Sequence, residues 1–166
     1  MPTVLHLIRH GRSRPEPAVN PAHWRLHDDA AAGLTPLRES GVLPPNPFWC
    51  SSSEPKAMAT AAALAGGADI QVIDALREQD RPTHWYDDAE EFEATVARAM
   101  TEPDRPAEPG WEPAARTTER VLAAVHRLVE IIPAGPSGVQ RDLALAGHGT
   151  AGTLLIAAIT GTPPDL

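Results

Sequence analysis

The sequence contains a short apolar run, Thr3-Val4-Leu5-His6-Leu7-Ile8, that passes directly into Arg9-His10-Gly11. The run is rich in strand-forming residues and predicts a buried strand that delivers both basic side chains to the edge of a sheet. Near the other end of the chain, Asp142-Leu143-Ala144-Leu145-Ala146 predicts another strand, which ends at Gly147-His148-Gly149. Two predicted strands therefore each end at a histidine beside glycine.

Strands and helices alternate between these two runs. Phe48-Trp49-Cys50 and Ile70-Gln71-Val72-Ile73 predict two more strands. Helices are predicted from Lys56 to Ala65, from Asp88 to Met100, from Ala114 until Pro133, and from Thr150 to Ile159. A further, very short helix is expected to begin at Thr35-Pro36, where a capping hydroxyl precedes a proline. This order predicts an α/β fold, a three-layer α/β/α sandwich around a mostly parallel sheet with the first strand central.

Composition and charge exclude several classes of protein. With 166 residues, 42% of them hydrophobic, the chain is expected to form a single domain over residues 1–166. A formal net charge of −8 argues against a nucleic-acid partner, and no stretch reaches the ~18 apolar residues of a membrane span. The single cysteine, Cys50, excludes a disulfide framework, and no histidine–carboxylate spacing indicates a metal site. We expect a cytoplasmic protein without metal, cofactor or membrane partner; no feature indicates an oligomeric state.

The two histidine turns have the chemistry of an anion site. In parallel α/β sheets, ligands bind at the carboxyl ends of the strands, where His10 and His148 are expected. Arg9 offers a cation beside His10, and a glycine next to it lets the backbone approach a ligand closely. The turn at His148 leads into a helix, whose free N–H groups favour negative charge. Either turn alone would also fit an ordinary loop; together they favour a site for an anion.

These residues resemble a known family. Leu7-Ile8-Arg9-His10-Gly11-Arg12-Ser13 is similar to the signature of the histidine phosphatase superfamily, which includes the cofactor-dependent phosphoglycerate mutases. Four later segments resemble further family motifs in the family's order: Cys50–Ala61, Leu76-Arg77-Glu78, Gly110-Trp111-Glu112 with Arg120-Val121 downstream, and Ala146-Gly147-His148-Gly149. The matches span positions 4 to 156, and the first and last are the most specific.

The resemblance implies a function and a role for five residues. It implies a metal-independent phosphomonoester hydrolase whose nucleophile, His10, forms a phosphohistidine intermediate on a small phosphorylated substrate. Arg9 and Lys56 would bind the phosphate, and His148 would complete the catalytic pocket around it. Glu78 matches the proton donor, for which a carboxyl group with a raised pKa is expected. Three nearby carboxylates are alternative donors: Asp80, Asp87 and Asp88.

Two features depart from the family pattern. Lys56 stands where the family usually has arginine, so the charge is kept but the bidentate fork is lost. A cation in the first turn of a helix opposes the helix dipole unless an anion lies nearby, and the alternative is an exposed helix residue. The sequence also stops, at Thr162-Pro163-Pro164-Asp165-Leu166, where family members commonly continue with another strand. The domain is therefore expected to be short at its C-terminus, with an altered sheet edge.

Two other functions are weighed against hydrolysis. A non-catalytic module that binds phosphorylated ligands would use the same pocket, and the lysine and the short C-terminus favour it. Phosphomutase activity is less favoured, because 166 residues leave little room for the insertions that enclose a bisphosphate in the family's mutases. Contacts to the leaving group would come from loops such as 15–34 and 81–88, which carry no recognisable motif.

Overall fold

The computed structural model describes residues 4–83, 85–135 and 138–164. Thr3 lies outside them, as do Asp165 and Leu166. The strands are β1 (Leu5–Arg9), β2 (Phe48–Ser51), β3 (Ile70–Val72) and β4 (Leu143–Gly147). The α-helices are α1 (Ala30–Glu39), α2 (Pro55–Ala65), α3 (Ala89–Thr101), α4 (Ala114–Ile131) and α5 (Gly149–Thr160). Apart from α1, these bounds agree with the sequence predictions to within about two residues.

The described strands form one parallel sheet in the order β1-β4-β2-β3. In the register between the first two, Leu5 pairs with Leu143 and Arg9 with Gly147. The prediction that the first strand is central is wrong, because no described segment pairs with its second side and β4 takes the position between β1 and β2. Burial agrees with this order: every residue of β4 is buried, whereas only Ile8 is buried in β1.

Helices cover both faces of the sheet, which confirms the three-layer α/β/α sandwich. Successive side chains of a strand point to opposite faces, so β4 contributes to two separate cores. Leu143 and Leu145 pack in one core with residues of α4 and α5. Ala144 and Ala146 pack in the other with residues of α1 and α2. The alternation of leucine and alanine in β4 thus supplies side chains to both layers.

The first helix is longer than predicted. It runs from Ala30 to Glu39 and contains Pro36, which was expected near its start. A proline in a helix removes one hydrogen bond, but the preceding turn of α1 buries Ala30 and Leu34, which are 4% and 8% exposed. We attribute the early start to this burial, which offsets the lost bond, so Thr35-Pro36 does not begin the helix.

The longest helix, α4, is amphipathic rather than apolar throughout. Val121, Val125 and Leu128 are buried at helical spacing, whereas Arg127 and Glu130 are exposed, as the sequence pattern predicts. Across residues 4–83, 85–135 and 138–164, no helix combines the length and the apolar character that crossing a membrane requires.

Candidate active site

The two histidines identified in the sequence lie side by side. His10 follows β1 and His148 follows β4, and because these parallel strands are neighbours their carboxyl ends meet. The backbone N–H of His10 donates to the carbonyl of Gly147 at 2.9 Å. The two imidazole rings meet edge to face, with 5.4 Å between their centroids. The sheet itself therefore fixes the relative position of the two rings.

Hydrogen bonding assigns the tautomer of His10. Its Nδ1 lies 2.8 Å from the carbonyl oxygen of Gly11, which can only accept, so Nδ1 carries the proton. Burial lowers the pKa of His10, and the positive charges of Lys56 and Arg9 lower it further, against an opposing effect of the Gly11 bond. At neutral pH the ring is therefore uncharged, and Nε2 holds a free electron pair.

His148 is the more deeply buried of the pair, at 4% exposure. Its Nε2 lies 2.7 Å from Oγ of Ser52 and 3.5 Å from Oε1 of Glu54. Burial lowers the pKa of His148 to about 4, against the opposing effect of the nearby carboxylates. Its buried Nδ1 has no hydrogen-bond partner among the described residues. A buried polar atom without a partner is costly, so this nitrogen adds to the energetic cost of burying the ring.

Lys56 lies inside the protein rather than on its surface. It is 5% exposed, and Nζ lies 2.6 Å from Oε2 of Glu54 and 2.5 Å from the carbonyl oxygen of Pro21. The carboxylate of Glu54 is the anion that offsets a cation in the first turn of α2. The alternative of an exposed helix residue is therefore wrong, and the nearby anion is a side chain of the protein.

Glu78 is held as an anion by backbone N–H groups. Its Oε1 accepts from the N–H of Ala151 at 2.8 Å and of Gln79 at 3.0 Å, and its Oε2 accepts from Thr150 at 3.1 Å. Burial alone would raise the pKa of Glu78, but the charge of Arg81 and these backbone bonds outweigh it and lower the pKa. The sequence led us to expect a raised pKa, so this resting carboxyl group is ionised where a protonated one was anticipated.

The alternative proton donors have other contacts. Asp80 forms an ion pair with Arg77, with 3.0 Å between Oδ2 and Nη2. Asp88 caps α3 by accepting from the N–H of Glu90 at 2.8 Å. Asp87 is exposed. None of these three carboxylates lines the cavity that contains His10.

Arg9 lies beside the N-terminus of α5. Its guanidinium carbon is 3.5 Å from the position that a Cβ on Gly149 would occupy, so glycine there permits the close approach. Within the described part of the chain, Arg9 has no ion pair and no side-chain hydrogen bond. Its donors are thus available to an anion at the carboxyl edge of the sheet.

One cavity of about 680 Å³ brings four of the five predicted residues together. The predicted residues that line it are Arg9, His10, Lys56 and Glu78, whereas His148, whose ring contacts that of His10, does not line it. Arg81 also lines the cavity, although the sequence did not indicate it as a site residue. The arrangement offers a nucleophilic nitrogen, cations for an anion's oxygens and a carboxylate for proton transfer.

Sequence reasoning missed three contributors to this site. Nη2 of Arg81 donates to Oγ1 of Thr150 at 2.6 Å, yet a lone arginine in a loop carries no sequence signal. Glu54 and Ser52 lie within the quoted second motif, but only the three-dimensional fold shows that they contact His148 and Lys56. The one signal that could have revealed Glu54 is its position directly before Pro55 and Lys56 at a helix start.

The described residues contain no group of three or more His, Cys, Asp or Glu side chains placed to hold a metal ion. Metal-independent chemistry stays a prediction for this site.

Three solved structures share this fold with the chain. A mycobacterial glucosyl-3-phosphoglycerate phosphatase is 23% identical, with a TM-score of 0.73 over 95% of this chain and 79% of that one. A putative α-ribazole-5′-phosphate phosphatase from Escherichia coli is 22% identical, with a TM-score of 0.69 over 98% and 82%. A phosphoglycerate mutase from Bacillus anthracis is 18% identical, with a TM-score of 0.75 over 99% and 82%. At these identities the likeness shows the fold alone.

The sequence comparisons give the family. No curated protein matches the chain in sequence. The family model of the histidine phosphatase superfamily (branch 1), however, matches residues 5–166. This match covers nearly the whole chain and includes both histidine turns, and it confirms the resemblance seen in the sequence. The chain therefore belongs to the histidine phosphatase superfamily, branch 1.

Proposed function

We propose that the protein hydrolyses small phosphate monoesters through a phosphohistidine formed at Nε2 of His10. The observation that carries the proposal is the tautomer of this ring, whose Nδ1 is bonded to Gly11 so that Nε2 holds the free electron pair. The ring lines a cavity that also contains Arg9 and Lys56, which supply positive charge for phosphate oxygens. Small phosphorylated molecules are the substrates expected of this superfamily.

The reaction divides into two displacements at phosphorus. In the first, the electron pair of His10 Nε2 forms a bond to phosphorus, and the ester P–O bond breaks. The leaving oxygen keeps the electron pair of the broken P–O bond, takes up a proton and departs as an alcohol. In the second, a water oxygen attacks phosphorus, the P–N bond breaks, and Nε2 regains its pair. Arg9 and Lys56 line the cavity and support the charge on the phosphoryl oxygens in both steps.

Glu78 moves the proton in this scheme. Its carboxyl group is ionised in the resting site, because N–H groups of α5 and the charge of Arg81 lower its pKa. A phosphate placed in the same cavity adds negative charge, and like charges raise the pKa of a carboxyl group. We infer that Glu78 takes up a proton from solvent water when substrate binds, gives it to the leaving oxygen and then takes one from the attacking water.

A panel of phosphomonoesters tests the proposal, with wild type and His10→Ala compared in the presence of a chelator. We expect turnover by the wild type and none by the variant. His10→Ala should remain folded, because the ring borders a cavity and its removal opens no hole in the apolar core. Turnover by the variant at the wild-type rate would show that His10 is not the nucleophile.

A non-catalytic phosphate-binding module is the second candidate. The observation that favours it is the buried Glu54, whose carboxylate already neutralises Lys56. Such a module would bind inorganic phosphate or vanadate without forming a phosphoryl adduct on His10. A phosphomutase, which is less favoured, would transfer the phosphoryl group of that adduct to a second phosphate ester instead of to water.

A further inference from the structure

Most of the aromatic residues of the chain surround a single pocket. The sequence has four tryptophans, two phenylalanines and one tyrosine. Five of these seven line a pocket of about 310 Å³: Trp24, Trp85, Tyr86, Phe92 and Trp111. In a chain with 4% aromatic residues, this concentration lies outside the two cores that hold the helices against the sheet. Trp111, Tyr86 and Phe92 also pack in a third apolar cluster, which forms the base of the pocket, whereas Trp24 and Trp85 do not belong to it.

The walls of this aromatic pocket are fixed in place. The indole N–H of Trp24 donates to the carbonyl oxygens of Val19 at 3.0 Å and Glu16 at 3.1 Å, which orients its ring. Trp111 is 3% exposed and packs against Phe92, with ring centroids 6.5 Å apart. Trp85, in contrast, is 42% exposed, and its ring centre is 6.3 Å from that of Trp24. The pocket thus has a rigid base and an exposed ring at its mouth.

The aromatic pocket adjoins the cavity that contains His10. Four residues line both: Pro21, Trp24, Arg81 and Phe92. Arg81 lies between the two spaces, with its guanidinium carbon 4.5 Å from the ring centre of Trp111 and 5.2 Å from that of Phe92. A ligand whose phosphate lies at His10 can therefore extend past Arg81 into the aromatic pocket.

The chemistry of the lining selects the group that can enter. Among the described residues that line the pocket, Arg81 alone is charged, and its guanidinium is stacked on aromatic rings. A carboxylate or a polyhydroxyl group would lose its bound water there without enough polar partners in return. Planar rings, in contrast, gain from stacking and edge-to-face contacts with aromatic side chains. A cavity of roughly 150 Å³ is enough to bind benzene, so about 310 Å³ admits a one- or two-ring group.

We infer that the substrate is a phosphate monoester whose leaving group carries a planar aromatic ring, bound in the aromatic pocket while the phosphate lies at His10. This inference rests on the proposed function, and it specifies the class of alcohol that the reaction releases.

Three primary alkyl phosphates with leaving groups of similar acidity test it: ethyl, 2-cyclohexylethyl and 2-phenylethyl phosphate. The kcat/KM of the phenyl ester should exceed that of the ethyl ester by about tenfold or more, and that of the cyclohexyl ester by about threefold or more. Trp85→Ala should lower the phenyl-to-ethyl ratio about fivefold. Ile131→Ala removes an exposed apolar side chain, 65% exposed on α4, and serves as the control that leaves the ratio unchanged.

Binding of phosphonates separates this inference from the proposed function, because they carry no cleavable ester. Benzylphosphonate should bind about tenfold more tightly than methylphosphonate in calorimetry, and Trp85→Ala should reduce that preference. If this preference is found but no ester is hydrolysed, the proposed function fails and the aromatic subsite stands. If the esters are hydrolysed with equal kcat/KM, the subsite is wrong and the hydrolase stands. Equal values for the cyclohexyl and phenyl esters would overturn the requirement for a planar ring.

Discussion

Acidification should destabilise the folded protein through His148. This side chain is buried, and burial lowers its pKa from the ordinary value of 6.5 to about 4. As the pH falls below 6.5, the imidazole of the unfolded chain takes up a proton, while the folded one stays neutral until about pH 4. The unfolded state therefore binds more protons across this window. The contribution of neutral His148 is fully present above pH 6.5 and is lost progressively toward pH 4.

The size of the effect follows from the two pKa values. Each unit of difference is worth about 1.4 kcal/mol, so a shift from 6.5 to about 4 lets His148 account for about 3 to 4 kcal/mol at most. That is a large part of the roughly 5–15 kcal/mol by which proteins are typically stable. Glu78 also has a lowered pKa, but its contribution is lost only below the ordinary range of a carboxyl group. The window between pH 6.5 and 4.5 therefore reports on the histidines.

Urea denaturation, followed by tryptophan fluorescence between pH 7.5 and 4.5, measures this effect. Between pH 7.5 and 4.5, the free energy of unfolding of the wild type should fall by up to about 3 kcal/mol more than that of His148→Gln. This variant keeps a polar group for Ser52 but cannot titrate. His126→Gln removes an exposed histidine on α4 and should follow the wild type. Equal losses in wild type and His148→Gln would refute a neutral, buried ring. If His148→Gln does not fold, NMR titration of the His148 ring in the wild type tests the same point. A ring that is protonated at pH 6 would contradict a lowered pKa.

Two further predictions concern the pocket. Lys56→Ala should lower the free energy of unfolding by about 3–5 kcal/mol, because it leaves the Glu54 carboxylate buried without its partner. The same variant should weaken inhibition by vanadate roughly tenfold or more, and an unchanged inhibition constant would remove Lys56 from phosphate binding and favour the non-catalytic module. Glu78→Gln should slow alkyl phosphates by about 10²–10⁴-fold and aryl phosphates, whose leaving groups need little protonation, far less. Equal losses on both would transfer the donor role to another carboxyl group, with Asp80 the first to test.

Local patterns predicted most of the fold. The apolar runs at β1 and β4 and the spacing of Val121, Val125 and Leu128 in α4 depend on neighbouring residues alone, and these elements formed as expected. The order of the strands depends on contacts between distant segments, so the edge position of β1 was not predictable from its own residues. The start of α1 depends on burial of Leu34 against the sheet, which no local pattern reports.

The candidate site also has features that local sequence predicts and features that it does not. His10 and His148 were identifiable because each follows a recognisable strand and lies beside glycine. The lowered pKa of Glu78 could not be predicted from sequence, because it depends on N–H groups of α5 that lie 72 and 73 positions away. The pairing of Lys56 with Glu54 and the position of Arg81 over Trp111 likewise depend on side-chain packing. Sequence motifs identified the residue proposed as nucleophile, whereas the electrostatics of the site depend on contacts between distant segments.

Trapping of the phosphoenzyme tests the central claim most directly. Wild type is mixed with a ³²P-labelled phosphomonoester, quenched within milliseconds in denaturant at alkaline pH, and compared with His10→Ala. We predict a label on the wild-type protein that is stable in alkali, is lost in acid and maps to His10, with none on the variant. Turnover by the wild type without any such adduct, or an equal adduct on His10→Ala, would contradict catalysis through a phosphohistidine at this residue.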